Sequence, residues 1–425
     1  MVDSADYPRG MGSPTIDNHP LDTLHVNGER LWTTMHQLAE IGATPAGGVA
    51  RVALTDADRA GRDQFVEWVR GLGCSVHIDR IGNLFARYEG TDPTRAPVVI
   101  GSHLDSQPTG GRYDGAYGVM VGLEIIRVLH HAGHRLSAPI EVVSWTDEEG
   151  ARFPPAMLGS GVFAGAISLE AGLGSTAMDG TVLVDELVRI GYSGSEPAGS
   201  RPIGYYVEPH IEQGPILEAG GHVIGVVTGV QGIRWYDVAI TGKESHAGTT
   251  PMDRRSDAMV SAARIVDAVD RIARDHGPDG RSTVGVLEAL PGSRNTVCGS
   301  VRMTVDLRHP NPDVLDAMDA AFRDVAASLK PTPVVDQIWY SPPIAFDADI
   351  VDAIRRGAAA TGHTPVDITS GAGHDACYIS RVAPTGMVFI PCADGLSHNE
   401  AEAIERDHAI AGAEVTLRAV VDLAS

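Results

Sequence analysis

The first half of the chain alternates apolar and polar positions in the order strand, helix, strand. Residues 98–100 (Val-Val-Ile) form an apolar run that predicts a buried strand, and the run stops at Gly101. Helical periodicity then extends from residue 117 to residue 131, with Gly133 placed to end the helix. Residues 139–145 predict the next strand. This is the order of a βαβ unit, so we expect an α/β fold with parallel strands.

Similar patterns predict elements along most of the chain. Helical spacing predicts helices at residues 21–41, 55–69, 185–190, 253–274, 313–329 and 348–360. Strand patterns occur at residues 75–78, 83–88, 205–210, 235–240, 282–290, 301–307 and 384–390. Between about residue 228 and residue 340, strands and two helices follow one another in series, which predicts an α+β sandwich inserted into the first domain.

Length and charge narrow the classes of protein to which this chain can belong. A chain of 425 residues is too long for one ordinary hydrophobic core, which favours two domains. The formal net charge of −22 argues against nucleic acid or an anionic membrane as a partner, and no apolar run approaches the length of a membrane span. Residues 1–20 lack the order of a signal peptide, and the four cysteines have no paired spacing. We therefore expect a cytoplasmic protein with a loose N-terminal arm and reduced thiols.

Residues of the types that bind metal ions follow four of the apolar runs. They are His103, Asp105, Asp114, Glu148, Glu149, His210 and His398. Open α/β sheets bind their ligands at the carboxyl ends of the strands, and imidazole with carboxylate suits Zn²⁺, Mn²⁺ or Co²⁺. In the Glu148–Glu149 pair, one carboxylate can bind a metal ion while its neighbour acts as general base. Each of these residues alone would more often be a surface or hydrogen-bonded side chain than a metal ligand. Their repetition after four apolar runs favours a site for two divalent ions.

Five segments of the sequence resemble the motifs of one enzyme family. The segments are 101–115 (GSHLDSQPTGGRYDG), 145–153 (WTDEEGARF), 210–214 (HIEQG), 245–252 (SHAGTTPM) and 395–400 (GLSHNE). Together they resemble the hydantoinase/carbamoylase family of binuclear metal amidohydrolases, which is related to di-zinc exopeptidases. The resemblance begins at about residue 25. It implies a two-domain α/β protein with a di-zinc aminopeptidase-like catalytic domain, residues 1–227 and 341–425. The inserted lid and dimerisation domain would span residues 228–340 and form a homodimer.

The resemblance also implies two metal ions that share protein ligands. One ion would be held by His103, Asp114 and His210, and the other by Asp114, Glu149 and His398. Asp114 would then bridge the two ions. Asp105 would orient His103 through its other ring nitrogen. Such a site accepts Zn²⁺, Mn²⁺, Co²⁺ or Ni²⁺, so the residues leave the identity of the metal open.

Contacts to a substrate are implied in the same way. The residues concerned are Gln213, His246, Asn295, Arg308, Gly371 and Gly373. Gln213 would hold the substrate near the metal ions, and His246 would stabilise the developing oxyanion from the partner subunit. The guanidinium fork of Arg308 suits a substrate carboxylate. Two positions depart from the family pattern, because Asp147 stands where relatives often have Asn and Cys298 where they often have Pro.

The implied reaction is hydrolysis of the N-carbamoyl group of an N-carbamoyl-L-amino acid to the amino acid, CO₂ and NH₃. Glu148 would be general base and then proton donor. β-Ureidopropionase and allantoate amidohydrolase stay open as alternatives, because their substrates also combine a ureido group with a carboxylate. An aminoacylase or dipeptidase is a further alternative, although such relatives more often have a carboxylate where this chain has His210. Glu148 beside Glu149 argues against a catalytically silent metal scaffold, and no Gly-x-Gly-x-x-Gly follows a strand as in nucleotide-binding proteins.

Overall fold

Helices and strands alternate along the chain in the computed structural model, which describes residues 21–425. The arm predicted for residues 1–20 lies outside the described residues. The helices are α1 Gly28–Ala39, α2 Asp56–Gly71, α3 Ala116–His131, α4 Leu158–Phe163, α5 Leu169–Leu173, α6 Leu183–Ile190, α7 Ile216–Gly220, α8 Ala258–Asp275, α9 Pro312–Ser328, α10 Ala348–Ala360, α11 Asp375–Ile379 and α12 Arg406–Ala424. The strands are β1 Ser75–Ile78, β2 Leu84–Tyr88, β3 Val98–His103, β4 Ile140–Trp145, β5 Tyr205–Ile211, β6 Gly225–Val230, β7 Gly232–Thr241, β8 Ser245–His246, β9 Arg281–Thr283, β10 Leu287–Leu290, β11 Thr296–Val297, β12 Ser300–His309, β13 Val334–Ser341, β14 Ile344–Ala345, β15 Val366–Ser370 and β16 Thr385–Ile390. Short 3₁₀ helices lie at Leu21–Thr23, Met252–Arg254 and Ala393–Gly395.

The chain divides into two compact units. The first contains the described residues up to Val227 together with Asp347–Asp367 and His374–Ser425. The second contains Thr228–Phe346 and Ile368–Gly373. The chain therefore crosses between the units several times.

The position of Ile368–Gly373 differs from the sequence expectation, which placed all residues after 340 in the catalytic part. This segment belongs to the second unit because its backbone is hydrogen-bonded there. The amide nitrogen of Gln231 donates to the carbonyl of Ser370 at 3.0 Å, and Arg308 Nη1 donates to the carbonyl of Gly371 at 3.1 Å. The segment 341–346 also lies in the second unit.

A mixed sheet runs through the first unit. Its strands lie in the order β1-β2-β4-β3-β5-β16-β6, and β4, β3, β5 and β16 run parallel to one another. Strands β3, β4 and β16 are buried along their whole length, as expected for parallel strands covered on both faces. Helix α3 connects β3 to the parallel strand β4. The predicted α/β fold with a βαβ unit is confirmed.

A partly buried ion pair attaches helix α1 to helix α3. Glu124 is fully buried and accepts hydrogen bonds from Arg30 Nη2 at 2.6 Å and from the amide nitrogen of Asn27 at 2.8 Å. The Asn27 side chain in turn caps α1 by accepting from the amide nitrogen of Arg30 at 3.0 Å. This cap explains why the prediction of one helix over residues 21–41 is wrong in its first part, where only Leu21–Thr23 is helical.

The second unit contains an antiparallel sheet with helices α8 and α9 on one face. The strand order is β10-β12-β7-β13, with β9 also paired to β12. Alternate residues of β7 and β12 are buried against the helices, as the period of two in a strand requires. The other residues of these strands, among them Asp306 and Arg308, lie on the opposite face. Edge strands β10 and β13 carry exposed apolar side chains, including Leu290 and Val334.

Two predicted elements of this unit need correction. The helix predicted at 253–274 begins only at Ala258, because the Asp257 side chain caps it by accepting from the amide nitrogen of Met259 at 3.0 Å. The strand predicted at 282–290 is two strands, β9 and β10, which both pair with β12. The sequence patterns also missed strand β13 in this unit and helix α12 in the first unit. Among residues 21–425, no helix is both long and apolar enough to cross a membrane.

Candidate active site

The carboxyl ends of the parallel strands bring the predicted metal-binding residues to one edge of the sheet in the first unit. Strand β3 ends at His103, β5 contains His210, and Glu148 and Glu149 follow β4. His398 lies in the segment that follows β16. Because these four strands are parallel neighbours, residues far apart in sequence meet at this edge.

Two groups of candidate ligands share Asp114. Donor atoms of His103, Asp114 and His210 lie within 4.8 Å of one another, as do those of Asp114, Glu149 and His398. Asp114 Oδ1 is 3.3 Å from His210 Nε2, whereas Oδ2 is 3.5 Å from His398 Nε2. His398 Nε2 is also 3.2 Å from Glu149 Oε2. Asp114 therefore directs one oxygen towards each group.

Hydrogen bonds to backbone carbonyls fix the tautomers of two of the imidazoles. His103 Nδ1 lies 2.9 Å from the carbonyl of Asp105, and His210 Nδ1 lies 2.9 Å from the carbonyl of Ile211. A carbonyl only accepts, so Nδ1 carries the proton and Nε2 keeps its lone pair on the side of Asp114. Burial also lowers the pKa of His103 to about 4, which keeps that ring neutral at physiological pH.

Gly115 allows the Asp114 loop to lie directly against His103. A Cβ atom at this position would be 2.2 Å from His103 Nε2, and the residue has a φ of 63°. Both the space and the left-handed conformation therefore require glycine. The amide nitrogen of Gly115 also lies 3.2 Å from His210 Nε2. Gly115 therefore lies against both imidazole rings of the first ligand group.

Buried carboxylates surround the two groups. Burial, together with the charges of Asp375 and Glu149, raises the pKa of Glu148 well above its ordinary value. Burial and the charge of Asp114 do the same to Glu149. In the part of the chain that the structure describes, the ion pairs of Asp114, Glu148 and Glu149 involve only histidines. Imidazoles beside carboxylates that have no lysine or arginine partner fit divalent metal ions.

The structure revises the predicted role of Asp105. Its backbone carbonyl, not its side chain, receives the Nδ1 proton of His103, and its Oδ1 is 3.8 Å from that nitrogen. The carboxylate instead accepts hydrogen bonds from the amide nitrogens of Glu148 and Glu149, each at 3.3 Å. Asp105 therefore holds the loop that carries both glutamates as well as the ring of His103.

Backbone strain is concentrated near these residues. Asp147, Gln213 and His398 have φ values of 54°, 58° and 53°, in the left-handed region that side chains other than glycine rarely adopt. Gln213 Nε2 donates to Asp114 Oδ2 at 2.8 Å, while its buried Oε1 has no hydrogen-bond partner among the described residues. That oxygen can accept a hydrogen bond from a ligand N–H group.

The predicted substrate residues of the second unit fall into two pairs. Strand β8 pairs with β11, which brings His246 opposite Thr296 and next to Asn295, whose carbonyl accepts from the amide nitrogen of Ala247 at 2.8 Å. The side chains of His246 and Asn295 are exposed.

Arg308 forms the second pair with the backbone of Gly371. Its Nη1 donates to the Gly371 carbonyl at 3.1 Å, and its Nη2 donates to Asp306 Oδ2 at 2.7 Å. Gly373 is exposed in the same segment. The structure thus groups Arg308 with one of the two predicted glycines.

Comparison with known proteins identifies the family. Residues 99–422 match the model of peptidase family M20/M25/M40. The chain belongs to this family. It is also 44% identical to the N-carbamoyl-L-amino-acid amidohydrolase of Rhizobium meliloti, covering 95% of this chain and 98% of that protein. The allantoate amidohydrolase of Bacillus subtilis is a more distant relative, 32% identical over 91% of this chain and 94% of that protein.

A solved structure agrees with this assignment. An amidase of the hydantoinase/carbamoylase family from Burkholderia multivorans is 53% identical, with a TM-score of 0.91 and coverage of 95% of this chain and 99% of that chain. The resemblance to the hydantoinase/carbamoylase family is therefore confirmed. As a member of the M20 family, the protein is a metallohydrolase, and the two groups around Asp114 are its candidate metal-binding residues.

Two buried polar residues of this M20 protein, Glu208 and His374, were not singled out from the sequence. Glu208, His210 and His374 form a third group with donor atoms within 4.8 Å. The oxygens of Glu208, however, already accept from Ser102 Oγ at 2.7 Å and from the amide nitrogen of Ala376 at 2.8 Å, which favours a structural role. Glu208 lies inside a buried strand, so its sequence context carried no signal.

Proposed function

We propose that this protein is a binuclear metal-dependent amidohydrolase. Its substrate would be an N-carbamoyl-L-amino acid, which it would hydrolyse to the amino acid, CO₂ and NH₃. The observation that carries the proposal is Asp114, whose two oxygens face two separate ligand groups with the buried Glu148 beside them. The printed name of the Rhizobium relative supports the substrate class.

Two divalent ions would be held by the two groups of side chains around Asp114. His103 and His210 would bind one ion through Nε2, and Glu149 and His398 would bind the other. Bound ions supply Lewis acidity and lower the pKa of water towards neutrality. The metal could be Zn²⁺, Mn²⁺, Co²⁺ or Ni²⁺.

Glu148 would move the proton in this reaction. Its Oε2 lies 3.5 Å from His103 Nε2, and burial raises its pKa, which favours uptake of a proton from water that Glu148 would then release to the departing nitrogen. Asp105 keeps it in place through the Glu148 amide nitrogen. The free Oε1 of Gln213 would accept a hydrogen bond from the ureido nitrogen.

Residues of the second unit would bind the rest of the substrate. The Arg308 guanidinium would bind the substrate carboxylate, and the segment from Gly371 to Gly373 would lie close to it. His246 would be supplied by the partner subunit and would stabilise the developing oxyanion. Asn295 would contact the substrate from the neighbouring strand. These four roles are supported by the family resemblance and by the pairing of Arg308 with Gly371 and of His246 with Asn295.

Ammonia release by protein reconstituted with Mn²⁺ tests the proposal. The panel contains N-carbamoyl-L-methionine, N-carbamoyl-D-methionine, N-carbamoyl-β-alanine and allantoate, with N-acetyl-L-methionine read by released amino acid. We expect turnover of the L-carbamoyl compound, lost at least a hundredfold in Glu148→Gln. Turnover of N-carbamoyl-β-alanine or allantoate alone would move the protein to β-ureidopropionase or allantoate amidohydrolase. Cleavage of the acetyl compound alone would contradict the proposal and favour an aminoacylase.

A homodimer through the second unit is also proposed, in a protein that works in the cytoplasm. Edge strand β10 exposes Leu287 (42%) and Leu290 (63%), and an exposed apolar edge is suited to pairing with a second copy. The cysteines of the described chain are all free, which agrees with a reducing compartment. Sedimentation should give a dimer that Leu287→Asp dissociates, whereas Ile338→Asp on the opposite edge strand serves as the matched control. Sedimentation as a monomer would contradict the dimer.

A further inference from the structure

Glu402 is a buried acid that holds the Asp114 loop by its backbone. Only 4% of the residue is exposed, and it lies between β16 and α12. Its Oε1 accepts hydrogen bonds from the amide nitrogens of Tyr113 at 2.8 Å and Asp114 at 3.1 Å. Two backbone donors of a buried loop thus depend on one carboxylate oxygen.

The second oxygen of Glu402 faces the segment that carries His398. Ser397 Oγ lies 3.3 Å from Glu402 Oε2 and 2.7 Å from Asp114 Oδ2. Glu402 therefore contacts Asp114 in two ways. It accepts directly from the Asp114 backbone, and through Ser397 it reaches the Asp114 oxygen that faces His398.

Gly111 shows how closely the loop is fitted to this acid. A Cβ atom at residue 111 would lie 2.0 Å from Glu402 Cδ and 2.1 Å from Oε1. Side-chain atoms cannot approach that closely, so any larger residue would displace either the loop or the Glu402 carboxylate. The contact is a specific fit between the segment before α3 and the segment before α12.

We propose that Glu402 is a positioning residue of the metal centre. By fixing the Asp114 backbone, it keeps one Asp114 oxygen directed towards each ligand group, so that two ions can share this residue. The inference rests on the proposed metal centre, because it concerns how Asp114 would bridge. Groups that orient metal ligands typically change metal affinity by 10- to 100-fold when they are removed.

Calorimetric titration of the metal-free protein with Mn²⁺ alone tests the proposal without any substrate. For Glu402→Ala we expect at least a tenfold weaker affinity for one of two bound ions. Glu402→Gln should keep the affinity within a few-fold, because its amide oxygen can still accept from Tyr113 and Asp114. Glu124→Ala is the matched control, since it removes another buried carboxylate that accepts a hydrogen bond from a backbone amide but belongs to neither ligand group.

The outcomes separate a positioning role from general stability. Unchanged Mn²⁺ affinity in Glu402→Ala would overturn the proposal, and so would equal loss of affinity in Glu124→Ala at a similar drop in melting temperature. Gly111→Ala offers an independent test and should weaken Mn²⁺ binding as Glu402→Ala does; wild-type affinity there would count against the proposal. If the unaltered protein binds fewer than two ions, the proposed centre itself fails.

Discussion

Replacing Gly115 by alanine tests whether His103 is held as the structure shows it. The new Cβ would lie 2.2 Å from His103 Nε2, and ordinary contacts begin near 3.4 Å, so the ring has to move by about 1 Å. The substitution also places alanine at a φ of 63° and a ψ of −48°, a conformation that side chains other than glycine rarely adopt and that costs roughly 1 to 3 kcal/mol. Displacement of a catalytic group by about 1 Å can reduce the rate on the order of a hundredfold.

Gly133→Ala is a matched control for the backbone part of this effect. Gly133 has the same φ of 63°, but a Cβ there would meet no atom within 4 Å. Gly133→Ala should therefore lose roughly 1 to 2 kcal/mol of stability, which for a protein of this size lowers the melting temperature by about 1 to 3 °C. Gly115→Ala should lose more, because its new Cβ also clashes with His103. Only Gly115→Ala should also lose metal affinity and activity.

The assay combines thermal unfolding, metal content after reconstitution with Mn²⁺ and dialysis, and kcat/KM with the best ureido substrate. We expect Gly133→Ala to keep the metal content and kcat/KM of the unaltered protein, and Gly115→Ala to lose both. If Gly115→Ala behaves like Gly133→Ala in all three measurements, the close contact between residue 115 and His103 has no functional meaning. The account of how the Asp114 loop positions His103 would then be refuted.

Further predictions concern binding, stability and the metal. Arg308→Lys should raise the KM for carboxylate-bearing substrates about tenfold with little change in Mn²⁺ stoichiometry, because lysine lacks the fork of arginine; an unchanged KM would contradict that role. Glu124→Ala should lower the free energy of unfolding by about 2 to 3 kcal/mol, less than for a fully buried pair because Arg30 is 28% exposed, as denaturant titration would show. A chelator should abolish ammonia release, and Mn²⁺ should restore it; activity in metal-free protein would exclude the proposed centre.

The fold illustrates how far local patterns reach. Strands β3, β4 and β16 and helices α2, α3 and α10 lie where apolar spacing and caps predict them, because these signals depend on neighbouring residues. Strand β13 escaped prediction, since its residues are largely exposed and show no clean alternation. The division of 282–290 into β9 and β10 depends on pairing with β12, which a local pattern does not contain.

The candidate site shows the same limit. The residue types at the ends of the strands were visible in the sequence, but the contacts between them were not. That Asp105 orients His103 through its carbonyl, and that Glu402 holds the Asp114 backbone, depends on where segments distant in sequence meet. Glu402 lies 288 residues from Asp114, so no spacing rule connects them.

The sequence by itself determined the family, the βαβ order and the metal-ligand types that follow the parallel strands. These features are local, because periodicity and motifs are properties of short segments. Only the tertiary structure decided that β4, β3, β5 and β16 lie side by side and that Asp114 directs its two oxygens to two ligand groups. The physical reason is that strand order and side-chain direction follow from long-range packing, which brings together the carboxyl ends of strands that the chain separates by many residues.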